Sequence, residues 1–456
     1  MPLRIEPISC RQLPPAESVD YALVASAFWR KSGAEIDLPA EAGSHAIDSY
    51  TSPEGGGHGN SITTHRCDNQ ASMPSTISVT SKLPDVSVSI FAVMTRLANE
   101  HGAINLSQGF PDFDCDPALV DAVACAMRDG HNQYAPMPGV LALREAIAAK
   151  VAACYGASFD PQTEVQITCG ATAGLYATLT AFVQPGDEVL LFEPCYDSYV
   201  PVIRLSGGTP VFSSLRYPDY RVDWDEVRRA ISNKTRAILV NTPHNPTGIA
   251  WTADDMRRLI EIVDGTDILL IGDEVYEHVI FDGRRHESLL RYPELRDRAC
   301  VISSFGKTFH TTGWKVGYCV APAPILAEVQ RVHQFMTFTV HTPSQIAFAE
   351  FVRRDLFASE LARFYQQKRD LFLQLIEGSR FQPLACEGTY FQLLDYSSIA
   401  RDADREMAMR LITQHGVASI PCSAFLYQDT GGPVLRFCFA KRDETLRAAG
   451  ERLRRV

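Results

Sequence analysis

One repeated pattern constrains this chain more than any other feature. After residue 117, short apolar runs alternate with stretches of helical periodicity. The runs lie at residues 165–168, 188–192, 237–240, 268–271 and 300–303. Each is short, β-rich and set between helical stretches, so each reads as a strand. Strands separated by helices require right-handed crossovers. The expected fold is therefore α/β, with a mostly parallel central sheet flanked by helices. Ligands of such sheets sit beyond the carboxyl ends of the strands. The alternation loosens after about residue 337. Residues 117–336 are thus expected to form a large domain, with residues 81–116 and 337–456 forming a smaller α+β domain. Val86, Ile90, Phe91, Met94 and Leu97 recur at helical spacing and predict a helix over 87–100. A strand at 104–106 and a turn at Gly109-Phe110-Pro111-Asp112 follow.

Composition narrows the function. The chain has 456 residues and a net charge of −11 from 43 Lys+Arg against 54 Asp+Glu. That balance argues against a broad nucleic-acid or anionic-membrane surface, while leaving room for a local basic pocket. No window approaches the roughly 18 apolar residues of a membrane span. The 12 cysteines form no C-x-x-C pair and read as reduced thiols of a cytoplasmic protein. Residues 1–80 differ from the rest. Residues 41–70 are rich in Gly, Ser, Thr, His and Asn, and such a stretch cannot easily offset the entropy of ordering. A disordered or non-homologous N-terminal extension, or a linker, is expected there, with Met73 as a candidate natural start. The acids Glu6, Glu17 and Asp20 speak against a secretory or mitochondrial leader. His58, His65 and Cys67 do not have the spacing of a metal finger, and no metal is expected.

Four polar constellations follow the apolar runs. Thr168-Cys169-Gly170-Ala171-Thr172-Ala173-Gly174 lies between a strand and a helical pattern clear from about Leu175. Small residues there let the backbone approach a ligand, and a helix N-terminus offers unpaired N–H groups to an anion. Asn241-Thr242-Pro243-His244-Asn245-Pro246-Thr247-Gly248 holds an amide at a strand end, with Pro246 keeping Asn245 extended. Gly272-Asp273-Glu274-Val275-Tyr276 places a carboxylate at a buried strand end, where it needs a cation or donors. Ser303-Ser304-Phe305-Gly306-Lys307 sets a lysine among small and aromatic residues, where burial frees the amine to attack a carbonyl. Lys315, between Trp314 and Val316, offers a point charge to a phosphate. Taken singly, these also read as a tight turn, a Pro-Asn turn, a capping aspartate (a metal site there lacks a His or second carboxylate at the right spacing) and surface lysines. Taken together they describe one ligand. It has a phosphate, a ring nitrogen seeking an anion, a ring oxygen seeking donors and an aldehyde seeking an amine. That ligand is pyridoxal 5'-phosphate.

From residue 81 onward the chain resembles the class I aminotransferases of pyridoxal-phosphate fold type I. The strings that carry the resemblance are Gln108-Gly109-Phe110-Pro111-Asp112-Phe113, Asn132-Gln133-Tyr134-Ala135-Pro136, His244-Asn245-Pro246-Thr247-Gly248, Asp273-Glu274-Val275-Tyr276, residues 303–307 and Leu435-Arg436-Phe437. Within that family it is similar to the branch holding kynurenine and glutamine transaminases, and above all to bacterial methionine aminotransferases. The resemblance implies roles. Lys307 would bond the cofactor aldehyde and shuttle a proton at the substrate Cα. Asp273 would hold the pyridine nitrogen, and Tyr276 and Asn245 would donate to the phenolic oxygen. Tyr196 would stack on the ring. Ala171, Thr172, Ser304 and Lys315 would cup the phosphate, reached also by Tyr134 of a neighbouring subunit. Arg436 would clamp the substrate α-carboxylate, helped by Asn245 and the Gly109 backbone.

Two departures matter. Many relatives carry Arg where this chain has Lys315, which keeps the charge and loses the fork. No second Arg is evident for a side-chain carboxylate. Phe110, and Phe338 from the partner chain, instead suggest an apolar pocket wall. The implied activity is transfer of the amino group of methionine, with aromatic amino acids and glutamine as further donors, to a 2-oxo acid by a homodimer. The alternatives are a pyridoxal-phosphate β-lyase acting on cysteine conjugates and a cofactor-binding transcription regulator. The latter would need a DNA-binding module that residues 1–80 do not resemble.

Overall fold

Seven of the described strands form the central sheet. In the computed structural model, which describes residues 80–86, 88–428 and 431–456, the strands are β1 (Ile104–Asn105), β2 (Val165–Thr168), β3 (Glu188–Glu193), β4 (Thr209–Ser214), β5 (Thr235–Asn241), β6 (Leu269–Asp273), β7 (Ala299–Ser304), β8 (Gly317–Val320), β9 (Gln382–Pro383), β10 (Phe391–Asp395), β11 (Val417–Ala418), β12 (Ile420–Pro421) and β13 (Val434–Cys438). The extension expected over residues 1–80, the start at Met73 and the His58, His65 and Cys67 grouping lie, Thr80 apart, outside the described residues. Residues Ser81–Val456 form one compact unit.

The large sheet runs β2-β8-β7-β6-β5-β3-β4. The pairs from β7 to β4 are parallel, and β8 is antiparallel to both β7 and β2. Each apolar run proves to be one strand of it. The short strands β4 and β8 carry Pro, Ser and Gly and were not evident as runs. Successive residues alternate between two buried faces. Leu190, Ile238 and Leu270 face one core, while Leu191, Leu239 and Ile271 face the other. Burial on both sides is why these strands read as unbroken apolar runs. The helices Gly170–Phe182, Tyr199–Leu205 and Ala323–Met336 cover one face. Pro117–Arg128, Leu141–Tyr155, Ala253–Val263 and Thr342–Arg354 cover the other. Phe348, Phe351 and Val352 of Thr342–Arg354 therefore pack under the large sheet, although the sequence reading put them in the smaller domain.

A second core gathers the sheet β12-β13-β10-β9 and the paired β1 and β11 with the helices Ile90–Glu100, Ser359–Leu375, Asp404–His415 and Asp443–Leu453. The helix foreseen from residue 87 begins at Ile90, because the Ser89 hydroxyl accepts the Phe91 N–H and caps it. Among the described residues no helix is long and apolar enough to cross a membrane.

Candidate active site

Strand register assembles the site. Parallel pairing of β5 with β6 sets Asn241 beside Asp273 at their carboxyl ends. Antiparallel pairing sets Gly317 opposite both Ser304 and Thr168. A Cβ on Gly317 would fall 2.6 Å from the Ser303 carbonyl oxygen and 2.8 Å from the Ala171 nitrogen, so only glycine permits this approach. The helix after β2 begins at Gly170, five residues earlier than its apolar pattern suggested, which puts Ala171 and Thr172 in its first turn. Among the described residues no side chain caps that turn, so its N–H groups remain available to an anion. Lys315, in the left-handed region at φ 55°, brings its amine to the same helix start; a Cβ on Gly170 would lie 3.2 Å from Nζ. Ser304 caps the short helix Phe305–Thr308 by accepting from the Gly306 N–H. That turn carries Lys307 into the cavity.

The cavity holds about 330 Å³, within the range of small-ligand sites. It is lined by Gly109, Phe110, Ala171, Thr172, Tyr196, Asn245, Asp273, Tyr276, Ser304, Lys307, Lys315 and Arg436, all singled out from sequence. Tyr134 and Phe338 stand apart from it. Their rings meet edge to face at 5.5 Å, and Tyr134 is 81% exposed. Sequence reasoning gave no role to Phe91, Asn241, Phe391 or Tyr199, which also line the cavity. Tyr199 lies three residues beyond Tyr196, the same spacing that links Asp273 to Tyr276, and this was the available signal. Its hydroxyl donates to Asp273 Oδ2 at 2.6 Å.

Electrostatics follow from burial. Asp273 is pushed up to about 6 by desolvation, against the Tyr199 hydrogen bond, the Val275 N–H and Lys307. Burial brings Lys307 down to about 8; Cys438 and Asp273 oppose the shift, and Lys315 and Arg436 add to it. Arg436, on β13, is buried against the Phe391 ring at 3.9 Å. Its Nη1 donates to Asn245 Oδ1 at 2.6 Å and its Nη2 to the Ser107 carbonyl at 3.3 Å. Its Nε is buried without a partner among the described residues, a donor held ready for an anion. Since the Asn245 oxygen is taken by Arg436, its NH₂ group is the donor left to it.

These residues fit pyridoxal phosphate. Lys307, Lys315 and Arg436 face one acid, Asp273, as a dianionic phosphate and a carboxylate would require. The uncapped helix turn and the glycine approach shape the phosphate end. The orphaned Nε marks the carboxylate end.

Comparison with known proteins agrees. Residues 101–453 match the family described as aminotransferase class I and II. The chain is 49% identical over 377 residues to methionine aminotransferase of Escherichia coli, covering 82% of this chain and 98% of that one. It is 38% identical over 386 residues to a probable N-succinyldiaminopimelate aminotransferase of Mycobacterium tuberculosis, covering 82% and 97%. The solved structure of the E. coli protein, reported with a methionine aminotransferase function, superposes with a TM-score of 0.82 over 83% of this chain and 100% of that one. The aspartate aminotransferase of Thermus thermophilus solved with maleate, 29% identical, gives 0.76 over 83% and 99%. The chain therefore belongs to the class I and II aminotransferases, enzymes that work with pyridoxal phosphate.

Proposed function

We propose that this enzyme moves the amino group of methionine, and of aromatic amino acids and glutamine, to a 2-oxo acid. One observation carries the reading. Arg436 is the single arginine among the described lining residues, and Phe91, Phe110 and Phe391 line the same cavity. One guanidinium serves the α-carboxylate that every amino acid has. A side-chain carboxylate would be desolvated there without a partner. A thioether or aromatic side chain gains about 1.5–3 kcal/mol from burial. Similarity to the E. coli methionine aminotransferase supports the same choice.

When bound, the cofactor supplies an aldehyde and an electron sink. The chain's own residues do the rest. Lys307, whose ammonium burial brings down to about 8, gives up its proton more readily than a solvated lysine and moves the proton at the substrate Cα. Asp273, fixed by Tyr199, holds the ring nitrogen. Tyr276 and the Asn245 amide donate to the ring oxygen, and Tyr196 covers the ring face. Ala171, Thr172, Ser304 and Lys315 hold the phosphate. Arg436, with Asn245 and the Gly109 backbone, orients the substrate. In this reading the enzyme is a cytoplasmic homodimer. Tyr134 and Phe338, exposed and outside their own cavity, complete the site of the second copy. Residues 81–116 and the chain beyond the helix Thr342–Arg354 act as a small domain against the large sheet.

A panel of amino donors against one 2-oxo acid, scored by kcat/KM, tests the proposal. Methionine is expected at the top, and aspartate or glutamate there would overturn it. Pyruvate release from a cysteine conjugate without an acceptor would instead point to a β-lyase. Lys307→Ala is expected to abolish turnover, and a variant with full activity would refute its role.

A further inference from the structure

Tyr390 has no part in the roles above and does not line the cavity, yet it touches two of the groups that matter most. Its hydroxyl lies 2.6 Å from the Gly109 carbonyl oxygen and 2.8 Å from Lys307 Nζ. A phenol has one hydrogen, and a carbonyl oxygen can only accept, so that hydrogen goes to Gly109. Toward Lys307 the phenolic oxygen is therefore an acceptor. The ring cannot swing away. It is fully buried and packed against Tyr276, Tyr365 and Phe391 at 5.0, 5.5 and 4.9 Å between centroids. Gly109 is fixed from the other side as well, since a Cβ there would meet the Phe391 ring at 2.9 Å. Its neighbour Phe110 is tethered through its carbonyl to Lys441 Nζ at 2.8 Å.

We propose that Tyr390 is a positioning residue. Its hydroxyl seats the Lys307 amine whenever that amine is free, and ties it to the Gly109 carbonyl of the substrate loop. The importance of this link rests on the aminotransferase reading, but the contact itself does not. Lys307 Nζ also reaches the Gly109 carbonyl directly at 3.5 Å, so the phenolic oxygen, at 2.8 Å, is the nearer of the two acceptors that couple the amine to the hold on the substrate.

Tyr390→Phe removes the oxygen and keeps the ring. The full-length chain, freed of cofactor, is treated with acetic anhydride across a pH series, and acetylation is read on the peptide carrying Lys307. An acceptor favours the ammonium form, so its loss lowers the titration midpoint by about one pH unit. Tyr365→Phe, which removes a neighbouring hydroxyl that has no partner among the described residues, leaves the midpoint in place. In the cofactor-loaded enzyme Tyr390→Phe raises the donor KM roughly tenfold, with a smaller change in kcat. A residue that served only packing would move neither readout, because the ring is retained. A midpoint that stays or rises overturns the proposal. A lowered midpoint in a protein that transaminates nothing would leave the contact standing and refute the function instead.

Discussion

Behind the site, Glu277 is buried among five groups. Lys150 and the Tyr155 hydroxyl bond its Oε2, Ser303 and Tyr318 bond Oε1 at 2.6 and 2.7 Å, and His278 lies 4.0 Å away. Burial alone would raise the Glu277 carboxyl. Lys150, His278 and the hydrogen bonds from Lys150 and Ser303 win and hold it well below the usual range. Lys150→Met keeps the volume and removes the cation. Breaking such a buried pair costs about 3–5 kcal/mol, because a lone carboxylate stays behind. The chain can limit that cost by taking up a proton, on Glu277 or on His278, which burial holds at about 4 with Lys150 among the groups that lower it.

The sign of the pH dependence follows. In the wild type the folded carboxyl value is depressed. Its stabilisation is present above the unfolded value of about 4.3, and is lost only as pH falls through the folded value. In the variant a protonated carboxyl has a raised folded value. Its contribution is present below about 4.3 and lost as pH rises through the new value. The stability deficit should therefore grow between about pH 5 and about pH 8, with a slope approaching 1.4 kcal/mol per pH unit for one proton. Urea unfolding of the full-length enzyme at the two pH values measures it. Lys150→Met combined with Glu277→Gln should flatten the dependence. A deficit below about 1 kcal/mol, or one equal at both pH values, would refute the reasoning.

Arg436→Lys loses the fork and the stacking on Phe391. It should cost about 3 kcal/mol in kcat/KM for methionine, on the order of a hundredfold, and a change within about threefold would speak against the clamp. Gly317→Ala forces a Cβ against the Ser303 carbonyl and the Ala171 amide. Cofactor titration by absorbance should show Kd raised at least about tenfold, and an unaltered Kd would reject its place beside the phosphate. Lys441→Met frees the Phe110 carbonyl. Steady-state kinetics should show donor KM raised roughly fivefold with kcat held within about twofold; the reverse split would contradict a purely positioning role.

What could be read from the sequence depended on burial. β3, β5, β6 and β7 were legible because both faces are covered and each strand is a plain apolar run. β4 and β8 were not, since Pro210, Ser213 and Gly317 break that signature. The helix from Gly170 was placed late because Gly170-Ala171-Thr172-Ala173-Gly174 has too little apolar contrast to show a period. Lys307, Asp273 and Arg436 stood out because charge at a buried strand end needs an explanation. Tyr199 and Tyr390 did not, because a tyrosine in an apolar stretch looks like core until its hydroxyl is given a partner. That partner comes from 74 residues away for Tyr199 and 281 for Tyr390.

The cavity wall begins at Phe91 and is completed only by Arg436, on the penultimate secondary-structure element. During synthesis, Lys307 and the phosphate cup emerge more than a hundred residues before the guanidinium does. A chain still short of β13 lacks the guanidinium that grips the amino acid, so substrate recognition must await nearly the whole polypeptide.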